Sequence, residues 1–355
     1  KSKFLYKYHE KEKISSLIKK IRKSINYDNG KISKFDFKSS SELYKELIEP
    51  FKNYIKDKKD IIIVPHGSLL SMPFEVLVNK IPEDNLLNNN NWLIKKHNIT
   101  YYPSISSFHA MKKLKKIMFK GYFAGFGDPK LSQNDKKNIS NIKTDVSKIF
   151  LRGGIADVNK IRRFAELPKT ASELKSISKY FNKNDIYLKE DFTETKIKSS
   201  KLDKYTVLSF ATHGIVANEL SNINEPGLIT TPPAEGSIDD DGVLKSSEIK
   251  NLKLDAELVI LSDCNTASGD GSSSAEGLSG LTSSFFYAGA RSLLVSHWYV
   301  EDESTVELMK KTFDNLNNNL SLSESLRSSK ISMIQNNSTS HPIFWAPFIL
   351  VGGSS

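Results

Sequence analysis

One cysteine, Cys264, stands among the 355 residues, in a setting that would suit a nucleophile. It closes the apolar run Glu257-Leu-Val-Ile-Leu-Ser-Asp-Cys264, which reads as a buried strand delivering its last residue to a sheet edge. A second apolar run, Thr206-Val-Leu-Ser-Phe-Ala-Thr-His213-Gly214, ends in a histidine followed by glycine. Two neighbouring parallel strands would bring His213 and Cys264 to the same carboxyl edge, where open α/β sheets collect their ligands. The chemistry such a pair serves is acyl transfer by a thiol. It needs a thiolate, a proton donor for the leaving amine, an oxyanion site and a cleft. A neighbouring imidazolium raises the thiolate fraction of a cysteine, and His213 can hand its proton to the departing amine. Gly214 puts no side chain in the way of a substrate carbonyl, and its N–H with that of Cys264 would form an oxyanion hole. Ser262, Asp263 and Asn265 make the surroundings polar. The competing reading is a buried packing cysteine, the commonest fate of a free thiol, beside a hydrogen-bonded surface histidine. Spacing alone does not decide between them.

Other ligand chemistry finds less support. Histidines at 9, 66, 97, 109, 213, 297 and 341 have no metal-site spacing, and one cysteine cannot build a structural zinc site, so neither metal nor cofactor is expected. Asp239-Asp240-Asp241-Gly242 resembles a fragment of a calcium loop without the rest of its pattern, and reads as a solvated turn. Gly125-Phe-Gly127 lacks the Lys-Ser/Thr of a phosphate loop. His66 has no second cysteine to serve and is taken as structural.

The elements that must position these residues follow an α/β alternation. Residues 1–57 read as helical, most clearly 41–54 with its Ser-rich start. Buried strands follow at 60–64, 98–102 and 121–126, with a Ser-capped helix near 106–117. Residues 130–165 are polar and weakly periodic, and read as a connection or mobile loop. Alternation then resumes: a helix over 172–181, a strand at 186–188, and the two strands carrying His213 and Cys264. The stretch 218–247 is rich in Pro, Gly, Asp and Ser and reads as a long loop with room for a small hairpin. A helix over 275–288, a strand at 292–296, helices near 304–316 and 322–333, and a strand at 348–351 complete the chain. Two α/β halves emerge, each with a strand that ends in His-Gly: His66-Gly67 and His213-Gly214. The boundaries expected are a helical segment at 1–57, a first half with linker at 58–165, and a second half at 166–355.

The composition is that of a soluble globular protein, 38% hydrophobic and 26% charged. No apolar stretch nears the ~20 residues that span a bilayer, so no membrane is expected. A lone cysteine fits a reducing compartment and a cytoplasmic location. The net charge of +10 reads as a solvated surface, because no compact basic segment with interleaved aromatics stands out; nucleic acid would be at most an indirect partner.

The blocks around these residues resemble the CHAT domain, the caspase-like peptidase module of the caspase–separase group. In the second half they are Phe210-Ala-Thr-His-Gly214, Asp241-Gly-Val-Leu244 with Glu248-Ile249, and Val259-Ile-Leu-Ser-Asp-Cys-Asn-Thr-Ala267. They continue with Glu276-Gly277, Phe286-Tyr-Ala-Gly-Ala-Arg291, Ser296-His-Trp298 with Asp302, and His341-Pro-Ile-Phe-Trp345. In the first half they are Ile63-Val-Pro-His-Gly67, Pro73-Phe-Glu-Val-Leu77, Tyr102-Pro-Ser104, Gly127-Asp128-Pro129 and Leu167-Pro168. Together they cover roughly residues 40–353.

The resemblance implies a caspase-like α/β/α sandwich, with a pseudo-caspase half before the catalytic half and His213 and Cys264 as the dyad. The function expected is that of a cysteine endopeptidase acting on a protein substrate. It would be a regulated bacterial effector, in many relatives a defence protein, restrained until a sensor or TPR-type module signals. The segments 218–247 and 266–275 flank the dyad and would order on activation. Where the family often has Ala before the cysteine, this chain has Asp263, which implies a pocket for Arg or Lys at P1, with Glu276 and Asp302 as weaker contributors. His297 stands where the family more often has an apolar residue, and has no role assigned. The alternatives are a non-catalytic caspase-like interaction module and a basic nucleic-acid binder. The first would point His213 away from the thiol, and the second would show salt-dependent binding.

Overall fold

The computed structural model describes residues 7, 9–28, 31–112, 121–132, 154–217, 219–220, 223–262, 275–298 and 302–353. The chain divides into two units, Lys1–Lys113 with Ala267–Glu276 and His297–Ser355, and Leu114–Thr266 with Gly277–Ser296.

The first unit opens with the helix Lys11–Ser24, whose Ile14, Leu17, Ile18 and Ile21 recur at helical spacing and are buried. A short hairpin, β1 (Tyr27–Asp28) and β2 (Lys31–Ile32), separates it from the helix Phe37–Leu47. The sequence predicts that helix at 41–54; two local effects move it. The Asp36 side chain accepts from Ser39 N and starts the helix earlier. Pro50 has no N–H to continue the ladder, so the end breaks into a 3-10 turn at Glu49–Phe51 and a single helical turn at Lys52–Ile55. β3 (Asp60–Ile63) and β4 (Asn98–Tyr101) then pair in parallel, with Ile61 opposite Ile99. The apolar run of β3 suggests a buried strand, yet β3 lies at a sheet edge, with Ile62 46% and the following Val64 41% exposed. A strand with one neighbour cannot have both flanks covered, and its composition does not announce which position it takes. A capping box at Ser104 starts the helix Ile105–Met111.

The second unit is a parallel sheet with a small antiparallel one. β5 (Tyr122–Gly127) pairs with β6 (Lys183–Leu188) and, on its other side, with β7 (Val207–Ala211). β8 (Gly214–Ile215), β9 (Gly227–Ile229) and β10 (Val243–Lys245) form an antiparallel sheet in the order β10-β9-β8, the hairpin for which 218–247 had room. β11 (Leu258–Ser262) and β12 (Ser292–Ser296) complete the parallel order β12-β11-β7-β5-β6. On one face Tyr187, Phe126 and Phe210 stack across three adjacent strands, at 4.8 and 5.1 Å between ring centroids. Phe285, from the helix Ala275–Ala288, packs on Phe210 at 5.4 Å. Gly127 is required for this closeness: a Cβ there would stand 2.8 Å from Leu174 of the helix Thr170–Ser178.

The chain returns to the first unit through the helices Asp302–Asn317 and Leu322–Gln335, the turn Pro342–Trp345, and β13 (Phe348–Gly352), which runs parallel to β4. Trp92 and Trp345 meet edge to face at 5.4 Å in its core. There Lys330 Nζ donates to Glu75 Oε1 at 2.9 Å and the Tyr101 hydroxyl donates to Glu75 Oε2 at 2.5 Å, all three residues being buried. Repeated parallel strands joined through helices are the α/β class that the alternation predicts.

Candidate active site

The strand register brings the two candidate catalytic segments to one edge. β7 and β11 are parallel neighbours, with Ala211 opposite Ser262, and Thr212 N donates to Ser262 O at 3.3 Å. His213 and Cys264 each follow that last pair by two residues, although Asp263 and Cys264 themselves lie outside the described residues.

His213 is half-buried, and its ring is held from two sides. The Phe164 ring lies 5.4 Å from it, centroid to centroid, and Nε2 is 2.7 Å from the carbonyl oxygen of Ala165. A carbonyl oxygen only accepts, so Nε2 carries the hydrogen and the lone pair of the neutral ring falls on Nδ1. The His213 carbonyl accepts from Ile229 N at 2.9 Å. That makes His213 and Ile229 a hydrogen-bonded pair of the antiparallel ladder, and Gly214 opposite Leu228 a non-bonded one. The Gly214 N–H therefore points away from β9, off the edge strand β8. An N–H aimed off the strand beside an imidazole can hold an oxyanion while the ring moves a proton.

Sequence reasoning missed the residues that support this ring. Phe164 and Ala165 end a stretch that reads as a connection, whereas within its described residues 154–165 Ala156, Val158 and Ile161 are buried. Val158–Ile161 is a helical turn, and Ile161 is buried in an apolar cluster with Ile215, Ile229 and Val243. A backbone carbonyl leaves no mark in residue types, and the one available signal was Phe164, an aromatic in a polar stretch.

The reading of Asp239–Gly242 as a solvated turn is corrected at Asp241, which is fully buried. Its Oδ2 accepts from Lys245 Nζ at 2.6 Å and from Ala156 N at 2.8 Å, and its Oδ1 accepts from Val243 N at 3.1 Å. Glu194 Oε2 in turn accepts from Asp241 N at 3.0 Å and Gly242 N at 3.2 Å. Burial and the nearby charge of Glu248 push the Glu194 carboxyl up to about 8, against the pull of Lys198.

Of the other candidates, Glu276 falls in the first turn of the helix Ala275–Ala288 and Asp302 begins the helix Asp302–Asn317; their side chains lie outside the description. Among the described residues no group of three or more His, Cys, Asp or Glu could hold a metal ion. Among them, too, no helix is long and apolar enough to cross a membrane.

This architecture is the caspase-like α/β fold of cysteine peptidases. The Arg specific cysteine proteinase gingipain R has it, 9% identical over 96% of this chain and 73% of that one, with a TM-score of 0.50. Separase from Saccharomyces cerevisiae, solved as the separase–securin complex, aligns at 15% identity over 90% of this chain and 17% of that chain, with a TM-score of 0.43. The chain belongs to the CHAT domain family, whose sequence pattern matches residues 38–353. Tetratricopeptide repeat protein 28 of Mus musculus is 33% identical over 110 residues, 31% of this chain. The match spans only 4% of that relative's length.

Proposed function

We propose that this chain is a cysteine endopeptidase with a His213–Cys264 dyad. The observation that supports it most is the state of His213. With Nε2 bound to the Ala165 carbonyl, its other nitrogen is available at the edge toward which β11 also runs. The Cys264 thiol gives its proton to His213 Nδ1, the resulting thiolate attacks the scissile carbonyl carbon, and the electrons of the C=O double bond move to oxygen, held by the N–H groups of Gly214 and Cys264. As the tetrahedral intermediate collapses, the C–N bond breaks and protonated His213 gives its Nδ1 proton to the amine. Neutral His213 then takes a proton from water, the hydroxide oxygen bonds to the acyl carbon, and the thiolate leaves as the acid is released. Throughout, the proton on Nε2 stays against Ala165, so the ring need not turn between steps.

Asp263, with Glu276 and Asp302, would give the P1 pocket its negative charge and select Arg or Lys. The substrate would be a protein in the cytoplasm. Release of activity would belong to a sensor or TPR-type module, a reading supported by the match to a tetratricopeptide repeat protein. In this reading the pseudo-caspase half is 58–165 and the catalytic half 166–355.

Labelling with an arginine-type activity probe, followed by intact mass, tests the dyad. Wild type should label, Cys264→Ala should not, and His213→Ala should label about 100-fold more slowly. Labelling that survives Cys264→Ala would refute the assignment. Preference for an apolar-P1 probe would keep the dyad and discard the pocket.

A further inference from the structure

Asp241 and Arg162 both converge on the segment that ends at Ala165. Asp241 is fully buried and, among the described residues, accepts from three donors, of which Ala156 N at 2.8 Å is the one from outside its own hairpin. Arg162 Nη2 donates to the Pro233 carbonyl at 2.7 Å, fastening the far side of the helical turn Val158–Ile161 to the loop before β10. Between them Ile161 is sunk in the apolar cluster, and Gly242 approaches it so closely that a Cβ would stand 3.2 Å from the Ile161 side chain. Gly236 lies equally close to the strap, 3.1 Å from Ile155 by the same measure. Four residues beyond Ile161 comes the Ala165 carbonyl, on His213 Nε2.

From this arrangement we infer that Asp241 and Arg162 are positioning residues: they hold the 154–165 strap so that Ala165 keeps the His213 ring in one tautomer and one orientation. The inference deepens the peptidase reading and rests on it for its meaning. The charge of Asp241 suits the task. A buried carboxylate matched to Lys245 and two backbone N–H groups has one low-energy arrangement, because each donor lost leaves a buried group unpaired. The hairpin is thereby fixed to the strap at Ala156, and the strap to His213 at Ala165. Glu194 closes the network, its Oε2 accepting from the backbone N–H groups of Asp241 and Gly242.

The test reads the ring itself. In the full chain with ¹⁵N-labelled histidine, the Nε2–H of His213 should give a proton resonance slowed in solvent exchange by its bond to Ala165. Asp241→Asn replaces an acceptor-only group with one that must present an N–H to a donor, and should speed that exchange by at least about tenfold while raising the Nδ1–H tautomer. Arg162→Ala removes only the second tether, leaves the buried ion pair intact, and should speed exchange about threefold in a folded protein. If Asp241→Asn does not fold, Arg162→Ala decides. On any cleaved peptide, kcat should fall about tenfold with KM little changed, since the loss is one of geometry at the reacting group. A folded variant whose His213 exchange and tautomer match wild type would overturn the inference. The resonance is read whether or not the chain cleaves anything. A moved resonance with no cleavage would count against the peptidase alone, and an unmoved resonance in an active enzyme against the positioning alone.

Discussion

His297 is buried, follows β12, and neither of its ring nitrogens has a hydrogen-bond partner among the described residues. Burial, with the charges of Arg22 and Lys330 nearby, depresses its pKa to about 3, so the ring is neutral. A neutral imidazole with both nitrogens unpaired loses its hydration and gains no hydrogen bond in return, at a cost of about 1–3 kcal/mol. His297→Leu keeps an apolar body of similar size and deletes the unpaired groups. It should raise the stability of the protein by about 1 kcal/mol at pH 7, read as a higher urea midpoint with an unchanged slope. A lower midpoint would mean that the ring has a partner whose loss outweighs this gain.

The same comparison at the scale of elements concerns the Pro73–Leu77 block. Its Glu75 is what β4, through Tyr101, and the helix Leu322–Gln335, through Lys330, have in common. Lys330→Met strands a buried carboxylate and should cost about 3–5 kcal/mol, whereas Lys330→Met with Glu75→Gln removes the charge as well and should recover part of that loss. Urea titrations of wild type, the single and the double variant measure it; equal losses for single and double would exclude the pairing as the source. These elements also show what a sequence can and cannot disclose. The strands at 292–296 and 348–351, and the helix at 275–288, were legible because apolar period and breakers agree there. The helix at 37–47 was misplaced because its cap, Asp36, precedes the serines that look like caps, and because Pro50 interrupts an apolar period that runs on past it. At the candidate site, residue types pointed to His213 and Gly214 as candidates. The Ala165 carbonyl, a backbone group, and the burial of Asp241, set by a lysine four residues on and an amide 85 residues back, were not legible.

For the whole molecule the shifted groups combine into a dependence of stability on pH with two opposed limbs. His297 and His341 are held by burial at about 3 and about 4, below their ordinary 6.5. Each binds a proton more readily when unfolded, so the stability it supports is complete above 6.5 and is lost as pH falls through the native values. Glu194, faced by Lys198, Glu248 and the backbone N–H groups of Asp241 and Gly242, is pushed from 4.5 up to about 8. Its native form binds a proton more readily than its unfolded form, so its contribution is complete below 4.5 and is lost as pH rises through 8. Between 4.5 and 6.5 two histidines oppose one carboxyl and stability still climbs with pH; above 6.5 the carboxyl acts alone and stability declines. A maximum near pH 6.5 follows, with flanks of up to about 1.4 kcal/mol per pH unit for each proton in play. Urea midpoints from pH 4 to 9 should trace that shape. His297→Leu should flatten the acid flank and leave the alkaline one, while Glu194→Gln, whose amide oxygen can still accept from the two backbone N–H groups, should flatten the alkaline flank and steepen the acid one, because the carboxyl no longer opposes the histidines. If both variants kept both flanks, other groups would govern the pH response, and the burial of these side chains would not be its cause.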